Sequence, residues 1–170
     1  YALRLWEFPE ILDHYQRRFQ HILVDEFQDT NAVQYAWLKG LARHGQIFVV
    51  GDDDQSIYAW RGARVENLLR FGEDFSDVQV VRLEQNYRST AAILQAANAV
   101  IANNPDRLGK TLWTAEPGVE SVHVYTAYNE FDEARYVIGR IQQWLEEGGQ
   151  RSECAILYRS NAQSRAFEEV

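Results

Sequence analysis

Two carboxylates, Asp25 and Glu26, follow directly on the apolar run Ile22-Leu23-Val24, and a polar string, Gly51-Asp52-Asp53-Asp54-Gln55-Ser56, follows directly on Ile47-Phe48-Val49-Val50. Short, branched apolar runs suit strands buried on both faces of a parallel sheet, whose ligands bind beyond the carboxyl ends of the strands. Both polar strings then lie on one side of the sheet, where the two loops can meet. Magnesium prefers oxygen ligands and keeps several of its waters, so one strand-end carboxylate can hold it while a triphosphate supplies further oxygens. Asp25 suits that metal role. Glu26 beside it can accept a proton from an attacking water, which makes it the candidate general base. Gln55 both donates and accepts hydrogen bonds, so it can sense a terminal phosphate or position water. The plainer alternative is that acidic residues merely end strands, and for Asp53 and Asp54 a solvated turn is the favoured reading.

Two further groups carry chemistry. Tyr58, Trp60 and Arg61 put two aromatic rings and a cation within four positions, enough for a base-stacking platform with a phosphate contact for a single nucleic-acid strand. Taken singly, a tryptophan is more often a packing residue. In Gln85-Asn86-Tyr87-Arg88-Ser89-Thr90, Tyr87 can stack on a base and Arg88 can complement charge on a transferred phosphoryl group, although a lone arginine more commonly makes a surface ion pair.

The elements that must position these residues alternate. Pro9 opens a helix with Ile11, Leu12, Tyr15 and Phe19 on one face, and a second helix runs from Asn31 to about Arg43 with Val33, Trp37 and Leu41 as its apolar stripe and Gly45 beyond its end. A helix at 65–71, a strand at 78–83 and a helix at 89–103 capped by Ser89 continue the order, followed by a strand around 122–125, a helix at 130–147, a Gly148-Gly149 turn, a strand at 155–158 and a last helix beginning at Asn161. The pattern predicts an α/β architecture with mostly parallel strands.

The composition bounds the partners. The chain has 170 residues, 46% of them hydrophobic, enough for one ordinary domain or two small ones. A single cysteine, Cys154, excludes an internal disulfide and points to a reducing cytoplasm. No apolar run approaches the length of a membrane span, so no membrane partner is expected. A formal net charge of -8 argues against broad attraction to nucleic acid, so any such contact must be local. The start at Tyr1 and the stop at Val170 inside a helical pattern suggest a fragment.

Together, Ile22 to Thr30, Val50 to Tyr58, Trp60 to Ala63 and Leu83 to Ser89 resemble motifs II, III and IV of superfamily 1 DNA helicases of the UvrD/Rep/PcrA family, in the same order and spacing, and Leu157 to Arg165 is similar to a segment of that family's second motor domain. The resemblance implies parts of two RecA-like parallel-sheet motor domains with flanking helices, 1–83 from the first and 84–170 from the second. It implies ATP and Mg2+ as cofactors, with Asp25 on magnesium, Glu26 activating water, Gln55 coupling the terminal phosphate to the DNA site, Tyr87 stacking on adenine and Arg88 contacting the terminal phosphate across a cleft from Glu26. Tyr58, Trp60 and Arg61 would line the single-strand path, with Arg159 and Asn161 as weaker DNA contacts on the second domain. The implied activity is ATP-driven translocation on single-stranded DNA and unwinding of duplex junctions, 3' to 5', in DNA repair with possible repair-protein partners.

The departures matter as well. No glycine-rich phosphate loop ending in Lys-Ser/Thr occurs, and the family's later motifs, with its other arginine finger, are missing. The chain alone is therefore expected neither to hydrolyse ATP appreciably nor to unwind DNA, and a missing central strand would leave edges through which copies can associate. The rivals are a catalytically dead single-strand- or partner-binding module and a subunit of a recombination helicase-nuclease.

Overall fold

The computed structural model describes residues 2–105, 107–118 and 120–170. The chain divides into two compact units, Tyr1–Glu120 and Ser121–Val170.

In the first unit a short helix α1 (Ala2–Leu5), which the sequence pattern does not announce, precedes α2 (Pro9–Arg18), β1 (His21–Val24), α3 (Ala32–Leu41), β2 (Gln46–Val49), α4 (Glu66–Asp74) and α5 (Ala91–Ile101). Strands β1 and β2 pair in parallel, with Ile22 opposite Ile47 and Val24 opposite Val49. The crossover between them is α3, opened by a reciprocal cap: the Asn31 side chain accepts from the Val33 and Gln34 backbone amides, and Gln34 accepts from the Asn31 amide.

The expected burial of both strand faces is corrected. Ile22, Val24, Ile47 and Val49 turn inward, while Leu23 and Phe48 on the opposite face are 77% and 63% exposed. A strand is covered only where a second layer packs on it, and among the described residues the helices supply one layer. The α3 stripe shifts too: Tyr35, Leu38 and Leu41 are buried, Trp37 is partly buried under Trp6, and Val33 is exposed.

The core of this unit centres on Phe27, fully buried at 0% exposure, with Tyr35 and Phe71 meeting it edge-on at centroid distances of 5.8 and 5.6 Å. Such geometry sets the positive ring edge against the negative face, worth about 0.5–1.5 kcal/mol per pair beyond simple burial. A polar tie reinforces it. Tyr35 donates to Asp74 on α4 at 2.8 Å, and Lys39 reaches the other oxygen of Asp74 at 2.5 Å. Burial first, then this hydrogen bond, pushes the Tyr35 phenol well above its ordinary range.

The predicted strand at 78–83 does not form, and Val80, Val81 and Leu83 lie exposed. A strand exists only through a hydrogen-bonded neighbour, and no described residue pairs with this run. Ser89 is not the cap of α5. Thr90 holds that position, while Asn86 accepts from the backbone amides of Arg88 and Ser89.

The second unit contains α6 (Glu130–Glu146) and α7 (Ser164–Glu169), the latter entered through a 3-10 turn at Asn161–Gln163. Asn129 caps α6 by accepting from the Asp132 amide, and Gly148 ends it in the left-handed region at φ 97. The predicted strands at 122–125 and 155–158 are not formed, for the same want of a pairing neighbour among the described residues. No helix among the described residues is long and apolar enough to cross a membrane.

Candidate functional site

Each strand of the parallel pair ends in one of the two acidic strings, and their loops meet as the sequence led us to expect. The pairing runs past the strands: Val50 donates its backbone amide to Val24, and Phe27 donates its own to Val50. The chain turns sharply between these bonds because Glu26 adopts the left-handed conformation, φ 49 and ψ 45. That conformation costs a non-glycine residue about 1–2 kcal/mol. It holds both Asp25 and Glu26 at the exposed strand end while Phe27 drops into the core.

Asp25 accepts the Glu26 amide at 2.9 Å through one carboxylate oxygen. Its other oxygen has no protein partner among the described residues. One exposed carboxylate with a free oxygen is the donor set that a magnesium ion retaining most of its waters can use, so the residues fit that ion.

Gln28 is 1% exposed and joins the two strand-end loops. Its amide nitrogen donates to the Glu26 carboxylate at 2.7 Å, and its oxygen accepts the Asp52 backbone amide at 3.0 Å. Asp52 in turn accepts from the Gln55 side chain at 2.7 Å and caps the 3-10 turn Asp53–Gln55. Glu26 and Gln55, candidates from separate loops, are thereby linked through two intervening residues.

The turn expected at Asp53 and Asp54 forms, but its carboxylates are ion-paired rather than solvated, which corrects that part of the expectation. Arg107 grips Asp54 with two hydrogen bonds of 2.9 and 2.6 Å, the Leu108 amide donates to Asp53 at 2.7 Å, and Lys110 pairs with Asp52 and lies 3.8 Å from Asp54. Carboxylate oxygens of the three aspartates lie within 4.8 Å of one another, a spacing that could hold a metal, but the Lys110 ammonium already supplies the cation. Burial opposes the charge of Asp52, yet the hydrogen bonds from Lys110 and Gln55 outweigh it and hold the carboxyl below its ordinary range. Sequence reasoning missed Arg107 and Lys110; the available signal was a basic pair in a loop able to answer a run of three acids. Gly109-Lys110-Thr111 ends like a phosphate loop, but Asn104 stands where the first glycine of such a loop would be, and Lys110 is committed to Asp52.

Beyond this turn the Arg61 guanidinium lies 4.8 Å from the Tyr58 ring centre and 4.6 Å from that of Trp60. Trp60 is 68% exposed, which removes core packing as its explanation. The shelf is anchored from behind. Asn67 on α4, buried, donates to both the carbonyl and the hydroxyl of Thr30, Arg64 donates its amide to the same carbonyl, and Asn31 bridges Ala63.

Tyr87 is 82% exposed with its hydroxyl on Gln85, and the exposed Arg88 makes no hydrogen bond or ion pair to Glu26 or Gln55 among the described residues. The structure does not bring these two to the carboxylates. Arg159 and Asn161 are exposed in the second unit, Asn161 beginning its 3-10 turn.

The strand-end carboxylates are thus tied to a second loop that leads on to an open aromatic and cationic shelf, and the class of the chain follows from its whole length. Residues 1–76 match the UvrD/REP helicase N-terminal domain and residues 81–170 the UvrD-like helicase C-terminal domain. The chain belongs to the UvrD-like helicase family. It is 60% identical to DNA helicase II of Escherichia coli over 99% of its length and 24% of that protein, and 60% identical to DNA helicase II of Haemophilus influenzae over 95% and 22%. It is also 52% identical to the ATP-dependent DNA helicase PcrA of Staphylococcus aureus over 95% of the chain and 22% of the relative. The chain thus spans about a quarter of the length of these relatives.

Proposed function

We propose that this chain is the central segment of an ATP-dependent DNA helicase, contributing parts of two RecA-like motor domains that meet near 83–84. The observation that carries the reading is the continuous bonding from Glu26 through Gln28 and Asp52 to Gln55, a few residues from the exposed Tyr58-Trp60-Arg61 shelf. Family membership and the identity to proteins named DNA helicase support it.

Asp25 would hold Mg2+ with its free oxygen, an ion that would neutralise phosphate charge of ATP when bound. Glu26 takes the proton of the attacking water, and Gln55 responds to the terminal phosphate while anchored to Asp52. Tyr87 stacks on the adenine, and Arg88 reaches the terminal phosphate when the motor domains close. Tyr58, Trp60 and Arg61 carry single-stranded DNA by stacking and charge, with Arg159 and Asn161 contacting the strand from the second domain. The longer protein would translocate 3' to 5' and open duplex junctions in cytoplasmic DNA repair, alongside repair proteins. The 170-residue chain alone would not turn over ATP, and its uncovered strand edges favour self-association.

The test is ATP hydrolysis by the longer protein carrying this segment, with and without single-stranded DNA. DNA-stimulated hydrolysis that is lost in Glu26→Gln, and whose stimulation is lost in Trp60→Ala, supports the assignment. Absence of hydrolysis in the unaltered protein, or robust Glu26-dependent hydrolysis by the 170-residue chain alone, overturns it.

A further inference from the structure

We infer that Gln28 is a positioning residue for Glu26: it aims the carboxylate from within the fold and makes that aim depend on the loop that carries Gln55. This rests on the assignment of Glu26 as the base.

A buried glutamine has two ends to satisfy. Gln28 is 1% exposed, and an amide so enclosed must satisfy both a donor and an acceptor end or pay a desolvation penalty of about 1–3 kcal/mol. Its orientation is determined by its neighbours. A backbone N–H can only donate, so the atom facing the Asp52 amide must be the oxygen, and the –NH2 is left facing Glu26. A carboxylate can only accept, so both ends match, and a flipped amide would lose both bonds.

The Glu26 side chain projects from an exposed turn, where a free carboxylate would sample several rotamers. The bond of 2.7 Å from Gln28 selects one of them. Gln28 itself cannot follow solvent or substrate, because Phe27 before it is fully buried and Thr30 after it is bonded to Asn67. The other end is equally fixed. Gly51, which precedes the bonded amide, is closely packed: a Cβ there would lie 3.0 Å from the Gln28 oxygen and 3.3 Å from the Phe27 Cβ, so these neighbours would have to give way by a few tenths of an ångström. Movement of Asp52, the residue that Gln55 and Lys110 also hold, is therefore transmitted to the Glu26 carboxylate through one rigid side chain.

The test uses the longer protein carrying this segment, with two substitutions. Gln28→Met preserves length and removes both bonds. Gln28→Glu keeps an oxygen for the Asp52 amide and replaces the donor to Glu26, and the introduced carboxyl can donate only while protonated. With Gln28→Met, kcat for DNA-stimulated ATP hydrolysis should fall about tenfold or more while KM for ATP stays within about twofold, as for an interaction made only in the transition state. With Gln28→Glu, activity relative to the unaltered protein should decline as the pH is raised from about 6 to about 9, because the donor is lost on ionisation. Should Gln28→Met fail to fold, the pH profile of Gln28→Glu decides alone. Unchanged kcat in Gln28→Met, or a flat relative profile in Gln28→Glu, overturns the positioning role and leaves Glu26 as the base. Activity that survives Glu26→Gln removes the base assignment and the positioning role with it.

Discussion

The left-handed turn at Glu26 gives a stability prediction whose sign depends on the backbone alone. Glu26→Ala and Glu26→Gly both delete the carboxylate and its bond from Gln28, so that loss cancels between them. What remains is φ 49, ψ 45, which Ala enters at a cost of about 1–2 kcal/mol and Gly without strain. Against this, glycine loses more chain freedom on folding, about 0.5–1 kcal/mol. The glycine variant should therefore be the more stable by about 0.5–1 kcal/mol, a measurable share of the 5–15 kcal/mol typical of a domain. The assay is urea unfolding of the chain followed by far-ultraviolet circular dichroism, with slopes compared to confirm that the unfolded states are alike. The matched control is the exposed helical residue Ala36, where the same exchange to Gly should cost about 1 kcal/mol, the opposite sign. An alanine variant at position 26 as stable as the glycine variant would refute the account of the turn.

Phe27→Ala should cost about 3–5 kcal/mol in the same assay, since it empties a fully buried ring site between Tyr35 and Phe71; a loss below about 1 kcal/mol would show that the ring is not the keystone of this core. Asn67→Ala should cost about 1–2 kcal/mol, the lower part of the range for a buried hydrogen-bonded group, because the Thr30 carbonyl keeps its bond from Arg64. For Asp52, whose carboxyl is held below its ordinary range in the fold, the stabilisation is present above the unfolded value near 3.9 and is lost as pH falls through the lower folded value. The stability gap between the unaltered chain and Lys110→Met should hence be constant above about pH 5 and close in stronger acid; denaturation across a pH series checks it, and a gap that widens in acid would contradict the pairing.

The parts of the fold that local chemistry decides were legible in the sequence. Branched apolar runs cut off by acids marked β1, β2 and the side on which their loops meet, and the apolar stripe placed the start of α3 at Asn31, one residue before its first helical residue. Parts decided by partners distant in sequence were not. The run Val78–Leu83 has the side chains of a strand but no pairing edge among the described residues, and Leu23 has the side chain of a core residue but no layer above it. Among the candidate site residues, Asp25, Glu26, Gln55 and the Tyr58-Trp60-Arg61 group could be proposed from type and spacing. Gln28 could not, because two consecutive buried residues, Phe27 and Gln28, fit neither helical nor strand periodicity, and a glutamine gives no sign in sequence that it is enclosed.

The shelf also has an optical consequence. Trp6 and Trp37 are stacked on each other, whereas Trp60 stands largely in solvent with a guanidinium against its ring. Its emission should lie to the red of theirs and be the more open to collisional quenchers. Anything that settles on the shelf must cover that indole, so with the half-exposed Trp113 and Trp144 replaced by Phe the remaining red emission would report occupancy without a label.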